Sequence, residues 1–165
     1  PPAVYGPGER DLMELFRMAA RGWAPRVGWR ARAYSFIHVD DLVAALLVAA
    51  THEGARGGTF FAAHPETVTP RSLSAAVAAA VGGRVRSLPL PGILPRALGW
   101  AAGLPRPFRS RPPLLNPDRA REMGPRAWLC DPTAFREATG WSAEIDLAEG
   151  TRRTAAWARE EGLLD

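Results

Sequence analysis

The chain is 165 residues long and 47% apolar, with 21 basic against 17 acidic residues for a net charge of +4. That is one domain's length with enough apolar material to build a core, so disorder is excluded as a description of the whole. Every basic residue is an arginine, and they are interleaved with acids; a nucleic-acid binder would gather them on one face, and the one local run, Arg106 to Arg111, is broken by prolines and reads as a solvated loop. No apolar run approaches the ~18 residues a membrane span needs and nothing resembles a signal peptide, so a cytoplasmic protein without nucleic-acid or membrane partners is expected. Cys130 is the only cysteine, which excludes an internal disulfide and a cysteine-based zinc site.

Ala3 to Tyr5 reads as extended and ends at Gly6-Pro7-Gly8, where proline removes a ladder donor and glycine permits the turn. Glu9 to Arg21 places Leu12, Leu15, Phe16 and Ala19 at helical spacing, with Gly22 as its stop. Trp23 to Arg32 is a connector with neither periodicity nor a strand pattern. Ala33 to His38 is aromatic and β-branched enough for a strand, and it runs directly into Asp40-Asp41 and the apolar run Leu42 to Ala50. This is a strand dropping into a helix with a side-chain carboxylate as the expected cap. Because that run is apolar on every side, the helix is expected to be covered all round. A strand feeding a covered helix through so short a turn is the layering of an α/β protein, with helices over a largely parallel sheet.

Further on, Thr59 to Ala63 is a short apolar run after Gly57-Gly58 and predicts a buried strand. Thr69-Pro70 gives a cap followed by proline at the first helical position, opening an alanine-rich helix that ends near Gly82. Arg84 to Leu88 alternates as a strand does, Ile93 to Gly103 carries a helical pattern, and Asn116-Pro117 and Asp131-Pro132 repeat the cap-and-proline start. Asp146 opens the last helix, with Glu149 three residues on completing a capping-box-like pair, and the helix runs to about Glu161.

Chemistry-bearing residues are sparse. His38, His52 and His64 lack the short spacing of helix-borne metal sites, so no metal is expected, and His38 reads as a satisfied histidine at a strand end. Asp40 and Asp41 read as caps rather than as a catalytic pair. No serine lies in a Gly-x-Ser-x-Gly elbow and no glycine loop is suited to cradling a phosphate. Neither Tyr5 nor Tyr34 is followed by a lysine, because the chain has none. No residue is assigned a catalytic role.

Four motifs in order nevertheless resemble a known family. They are Pro1-Pro2-Ala3-Val4-Tyr5-Gly6-Pro7-Gly8; Ser35-Phe36-Ile37-His38-Val39-Asp40-Asp41-Leu42; Gly58-Thr59-Phe60 before a capped helix; and Thr139-Gly140-Trp141 with Glu149-Gly150-Thr151-Arg152-Arg153-Thr154 and Trp157. Over essentially the whole chain this is similar to the C-terminal half of the extended short-chain dehydrogenase/reductases, the NAD-dependent epimerases, dehydratases and related reductases. The resemblance implies an incomplete parallel Rossmann-type sheet with a helical substrate-binding region, residues 1–165 forming one C-terminal piece. The glycine-rich dinucleotide turn and the catalytic Tyr-x-x-x-Lys would lie in a preceding half, so this piece alone is expected to be inactive.

By the same resemblance, Pro1, Pro2, Ala3 and Val4 border the nicotinamide end of NAD or NADP. Tyr5, Leu12, Met13, Phe16, Arg26 and Tyr34 are the substrate-side residues, with core packing the competing role for those on the first helix. Nucleotide-sugar enzymes of the family carry asparagine where this chain has Ala3 and arginine where it has Tyr34, groups that bind a diphosphate; here Arg26, Arg30 or Arg32 would have to replace that charge. The loss of both favours an uncharged or apolar carbonyl substrate over a sugar nucleotide, with a non-catalytic binding module as the reading from another class. A parallel sheet lacking its first strands leaves an unpaired edge and an apolar face, so self-association or a homo-oligomer is expected.

Overall fold

A computed structural model of the chain describes residues 1–27, 32–82, 86–90 and 127–164. In chain order the described elements are β1 (Ala3–Tyr5), α1 (Met13–Ala20), β2 (Trp23–Val27), β3 (Ala33–His38), α2 (Val39–Thr51) and a single 3-10 turn (Glu53–Ala55). They continue with β4 (Thr67–Val68), α3 (Pro70–Val81), β5 (Arg86–Leu90), β6 (Ala127–Trp128), α4 (Thr133–Thr139) and α5 (Leu147–Glu160). β3 is the hub of a small mixed sheet. It pairs parallel with β1, Ala3 opposite Phe36 and Tyr5 opposite His38, antiparallel with β4, and parallel with β6. β2 and β5 make a separate parallel pair. The architecture is the α/β class that the strand-into-helix unit implied.

Three helices form the main core. Met13, Phe16 and Ala19 of α1 meet Val77 of α3 and Ala155 and Ala158 of α5, with Leu164 closing the group. Their ends follow local chemistry. Thr69 and Ser72 cap α3 reciprocally, Pro70 opens it, and Gly82 stops it at a φ of 78° that favours glycine. The Asp146 carboxylate accepts from Glu149 N at 2.8 Å to start α5. The returning half of the expected box is replaced, because the Glu149 carboxylate accepts instead from Arg152 and Arg153. α1 starts at Met13 rather than Glu9, since the Glu9 carboxylate accepts from the N–H groups of Asp11 and Leu12 at 2.6 and 2.7 Å and holds those residues in a turn.

The expectation that α2 is covered all round is overturned. Asp41 and Ala45 are buried, but Val43, Leu46 and Leu47 are 51, 60 and 63% exposed. An apolar run establishes that a helix face wants cover; it does not establish that this stretch of chain supplies it. The expected carboxylate cap is also corrected: His38 is the N-cap, its Nδ1 accepting from Asp40 N at 3.3 Å. Residues 59–63 form no strand; His64 N reaches Phe36 O at 2.9 Å and the paired strand comes later, at β4. The supposed connector after Gly22 contains β2, which pairs with β5, itself shifted two residues from the expected span. The expected helices at 93–103 and after Asn116, and the 106–111 arginine run, lie outside the described residues.

Candidate functional site

Alternation along β1 and β3, with Ala3 opposite Phe36, puts Ala3, Tyr5, Tyr34, Phe36 and His38 on one face of the sheet. Ring contacts agree: Tyr5 meets Phe36 edge-on at 5.8 Å and His38 edge-on at 5.4 Å. The two halves of this face differ. At the C-terminal ends of the strands, Tyr5 and His38 are buried; at the N-terminal ends, Ala3 is exposed and Tyr34 half-buried. The two positions singled out by the resemblance therefore lie two residues of one strand and one strand spacing apart, with Phe36 between them.

Tyr5 belongs to the core of the described residues. It is 2% exposed, its hydroxyl donates to Asp146 O at 3.1 Å, and its ring lies where a side chain on Gly150 would be. Burial raises its pKa well above the ordinary phenol value, with the Glu66, Asp146 and Asp41 carboxylates adding to the effect, so it stays protonated. Met13 and Phe16, 1 and 0% exposed, likewise pack in the helical core. Leu12 is half-buried beside Tyr5 and Phe36 and remains at the rim of the face. Arg26 lies in β2, and its side chain is outside the described residues. Pro1 and Ala3 are exposed and Pro2 and Val4 half-buried, with side chains that are uncharged and carry no donors.

His38 is fully buried, and its Nε2 has no hydrogen-bond partner among the described residues. Burial pushes its pKa down, Asp40 opposing, Arg153 adding, and Asp41 and Glu149 opposing. With Nδ1 accepting from Asp40 N, the neutral ring carries its proton on Nε2, and the 3.4 Å approach of the Asp40 carboxylate to Nδ1 is not an ion pair. The expectation of a satisfied histidine thus holds at one nitrogen and fails at the other. His52 and His64 use Nδ1 in the same way, accepting from Gly54 N and Glu66 N at 3.1 Å each. Each histidine stabilises a turn two residues on, a role sequence reasoning missed and the repeated spacing to the donor carries. Among the described residues no group of three His, Cys, Asp or Glu side chains is placed to hold a metal.

The two aspartates diverge. Asp40 is exposed and meets Arg153 at 3.4 Å, while buried Asp41 accepts from Ile145 N at 2.9 Å and Glu144 N at 3.3 Å. Glu66 accepts from Leu147 N at 3.2 Å. Asp41, Glu66 and Tyr5 together hold the segment entering α5.

The chain shares its α/β fold with part of several solved nucleotide-sugar epimerases. It superposes on UDP-glucose 4-epimerase of Thermotoga maritima with a TM-score of 0.66 at 19% identity, covering 97% of this chain and 44% of that one. It superposes on RMD of Pseudomonas aeruginosa, solved with NADPH, with a TM-score of 0.64 at 18% identity over 96% of this chain and 46% of that one. In sequence it is 29% identical to ceramide reductase of Caulobacter vibrioides over 170 residues, 99% of this chain and 51% of that protein. The chain spans about half the length of the curated relatives it matches. No protein-family model matches it. Among the described residues no helix is long and apolar enough to cross a membrane.

Proposed function

We propose that this chain is the C-terminal, substrate-binding portion of an NAD(P)-dependent reductase of the extended short-chain type, acting on the carbonyl or hydroxyl of an uncharged or apolar small molecule. The observation that carries this is the shared face of Ala3, Phe36 and Tyr34. The two positions where a diphosphate would require an amide and a guanidinium are neighbours on one surface, and both are uncharged. A sugar diphosphate brought there would lose water from its charges without gaining a partner. The similarity to a protein named ceramide reductase points the same way.

Pro1, Pro2, Ala3 and Val4 fit the nicotinamide end of NAD or NADP, whose reduced ring is uncharged, by offering it apolar contact. Nothing in them suits its phosphates, which a preceding half would hold. The bound dinucleotide supplies the hydride; this chain's residues shape the wall that positions the carbonyl, with Leu12 and Tyr34 at its rim. The proton would come from a tyrosine in that preceding half, because Tyr5 is buried with its hydroxyl engaged.

The test is to express the gene product that carries this chain and follow NADPH and NADH oxidation with a long-chain aliphatic ketone, and separately the conversion of UDP-glucose. Turnover of the ketone with none of the sugar nucleotide is expected. Turnover of UDP-glucose, or a gene product without Gly-x-x-Gly-x-x-Gly and Tyr-x-x-x-Lys in the ~170 residues one such domain needs, would overturn the reading. Thermal-shift screening adds a readout independent of turnover, since a ligand at about 100 times its Kd stabilises by about 2.7 kcal/mol.

A further inference from the structure

β6 is only two residues long, yet it brings Trp128 to a defined place. Tyr34 pairs with Val68 of β4 on one side and with Trp128 of β6 on the other, so the three residues form a row across the sheet, on the face that also carries Phe36 and Ala3. From Phe36 onward β1 takes over the edge of β3 that β6 occupies, which puts Trp128 and Ala3 one after the other along that edge, two residue rises or about 6.6 Å apart. With β1 in its path the chain leaves the ladder after Trp128, and Ser35 receives it. The Ser35 hydroxyl accepts from Cys130 N at 3.0 Å and donates to Cys130 O at 3.4 Å, across 95 positions of sequence, and Ser35 is itself 6% exposed.

Two ladder positions specify a register weakly, and a slip of one residue would turn Trp128 away from this face and bring Ala127 or Leu129 to it. A clasp on both polar groups of the Cys130 peptide resists that slip, because a shifted strand would present the hydroxyl with a different peptide. We propose that Ser35 is a positioning residue of the substrate wall: it keeps β6 in register so that Trp128 extends the Ala3–Phe36–Tyr34 face, and the hydrocarbon of an uncharged substrate packs against the indole. The inference deepens the reductase reading above and rests on it. An indole offers a large apolar area, one N–H donor and no charge, which suits a hydrocarbon and leaves a diphosphate without a partner. Ser35 follows Tyr34 in β3 and so points to the opposite face of the sheet, where it acts on the substrate only through β6.

The test uses the intact gene product with NADPH and a long-chain aliphatic ketone. Ser35→Ala should raise KM for the ketone about fivefold or more with kcat little changed, and Ser35→Thr, which keeps the hydroxyl, should restore it. A serine that only stabilised the fold would lower kcat by reducing the folded fraction and leave KM alone. Trp128→Ala should raise KM by at least as much, and in the double variant the two effects should not add, since the serine acts through the tryptophan. An unchanged KM in either single variant, or effects that add, would overturn the inference. Should Ser35→Ala fail to fold, Ser35→Cys takes its place, keeping the shape with a weaker donor and acceptor. Deuterium exchange at the Cys130 amide reads the clasp without turnover: it should quicken in Ser35→Ala and not in Ser35→Thr, and equal rates in all three proteins would sink the clasp. A wild-type protein that turns over no ketone sinks the reductase reading and the wall with it, whereas wild-type turnover with a KM insensitive to both substitutions sinks this inference alone.

Discussion

Two alanine-rich helices of nearly equal length, α2 and α3, have opposite fates. α3 brings Val77 to zero exposure between α1 and α5, whereas α2, richer in leucine and valine, leaves Leu46 and Leu47 more than half exposed. Hydrophobicity ranks the two in the wrong order of burial. What separates them is the whereabouts of the partner: the covering helices of α3 lie in the same 165 residues, and no described element covers the α2 stripe. Composition shows that a surface needs cover, and only the tertiary arrangement shows which polypeptide provides it.

The sharpest way to break this comparison is a matched pair of truncations. Phe16→Ala empties the fully buried centre of the α1–α3–α5 core and should cost roughly 3–5 kcal/mol. Leu46→Ala in the chain alone should be close to neutral, because little contact is lost at 60% exposure. Urea unfolding of the 165-residue chain measures both. A large loss for Leu46→Ala would mean that α2 is covered after all, for instance by a second copy.

Next in size is Gly150→Ala. A methyl there meets the Tyr5 ring and hydroxyl, displacing a 2%-exposed side chain and its bond to Asp146 O. A loss of about 1–3 kcal/mol is expected, as for other overpacked sites. Gly54→Ala should behave similarly, since its methyl would meet the Ala138 carbonyl. Asp41→Ala leaves the N–H groups of Glu144 and Ile145 without their acceptor and should cost about 1–3 kcal/mol. Asp40→Ala, removing an exposed side chain, should be near neutral. Thermal unfolding of the pair tells whether two adjacent aspartates have the separate roles assigned to them.

Much of this was legible in the residues because it is local. Thr69, Pro70 and Gly82 delimit α3 by capping chemistry within a turn of each end, and Asp146 opens α5 in the same way. What escaped depends on residues far apart in sequence. Asp41 reads as a cap until the chain 104 positions later is folded onto it. β2 has no strand pattern of its own and exists through pairing with β5. Met13 and Phe16 carry the same periodicity whether they face a pocket or another helix, so spacing could not separate the two roles. The shared face of Ala3 and Tyr34 needed only the strand register, which the parallel pairing of β1 with β3 supplies.

The smallest expected effect concerns His38, at the buried end of that face. Its folded-state pKa lies below the unfolded value near 6.5, so below that pH the unfolded chain binds a proton that the folded chain refuses. The stability that depends on the neutral ring is therefore fully present above about pH 6.5 and is lost as pH falls toward the folded pKa. Tyr5 and Gly6 lie close to the ring, protonation would take the Nδ1 lone pair that accepts from Asp40 N, and Nε2–H has no acceptor among the described residues to stabilise the charged ring. His38→Asn keeps a side-chain acceptor for Asp40 N while removing the titration. Thermal midpoints from pH 7.5 to pH 5 should fall for the wild type more than for this variant, and parallel curves would show that other groups carry the acid sensitivity.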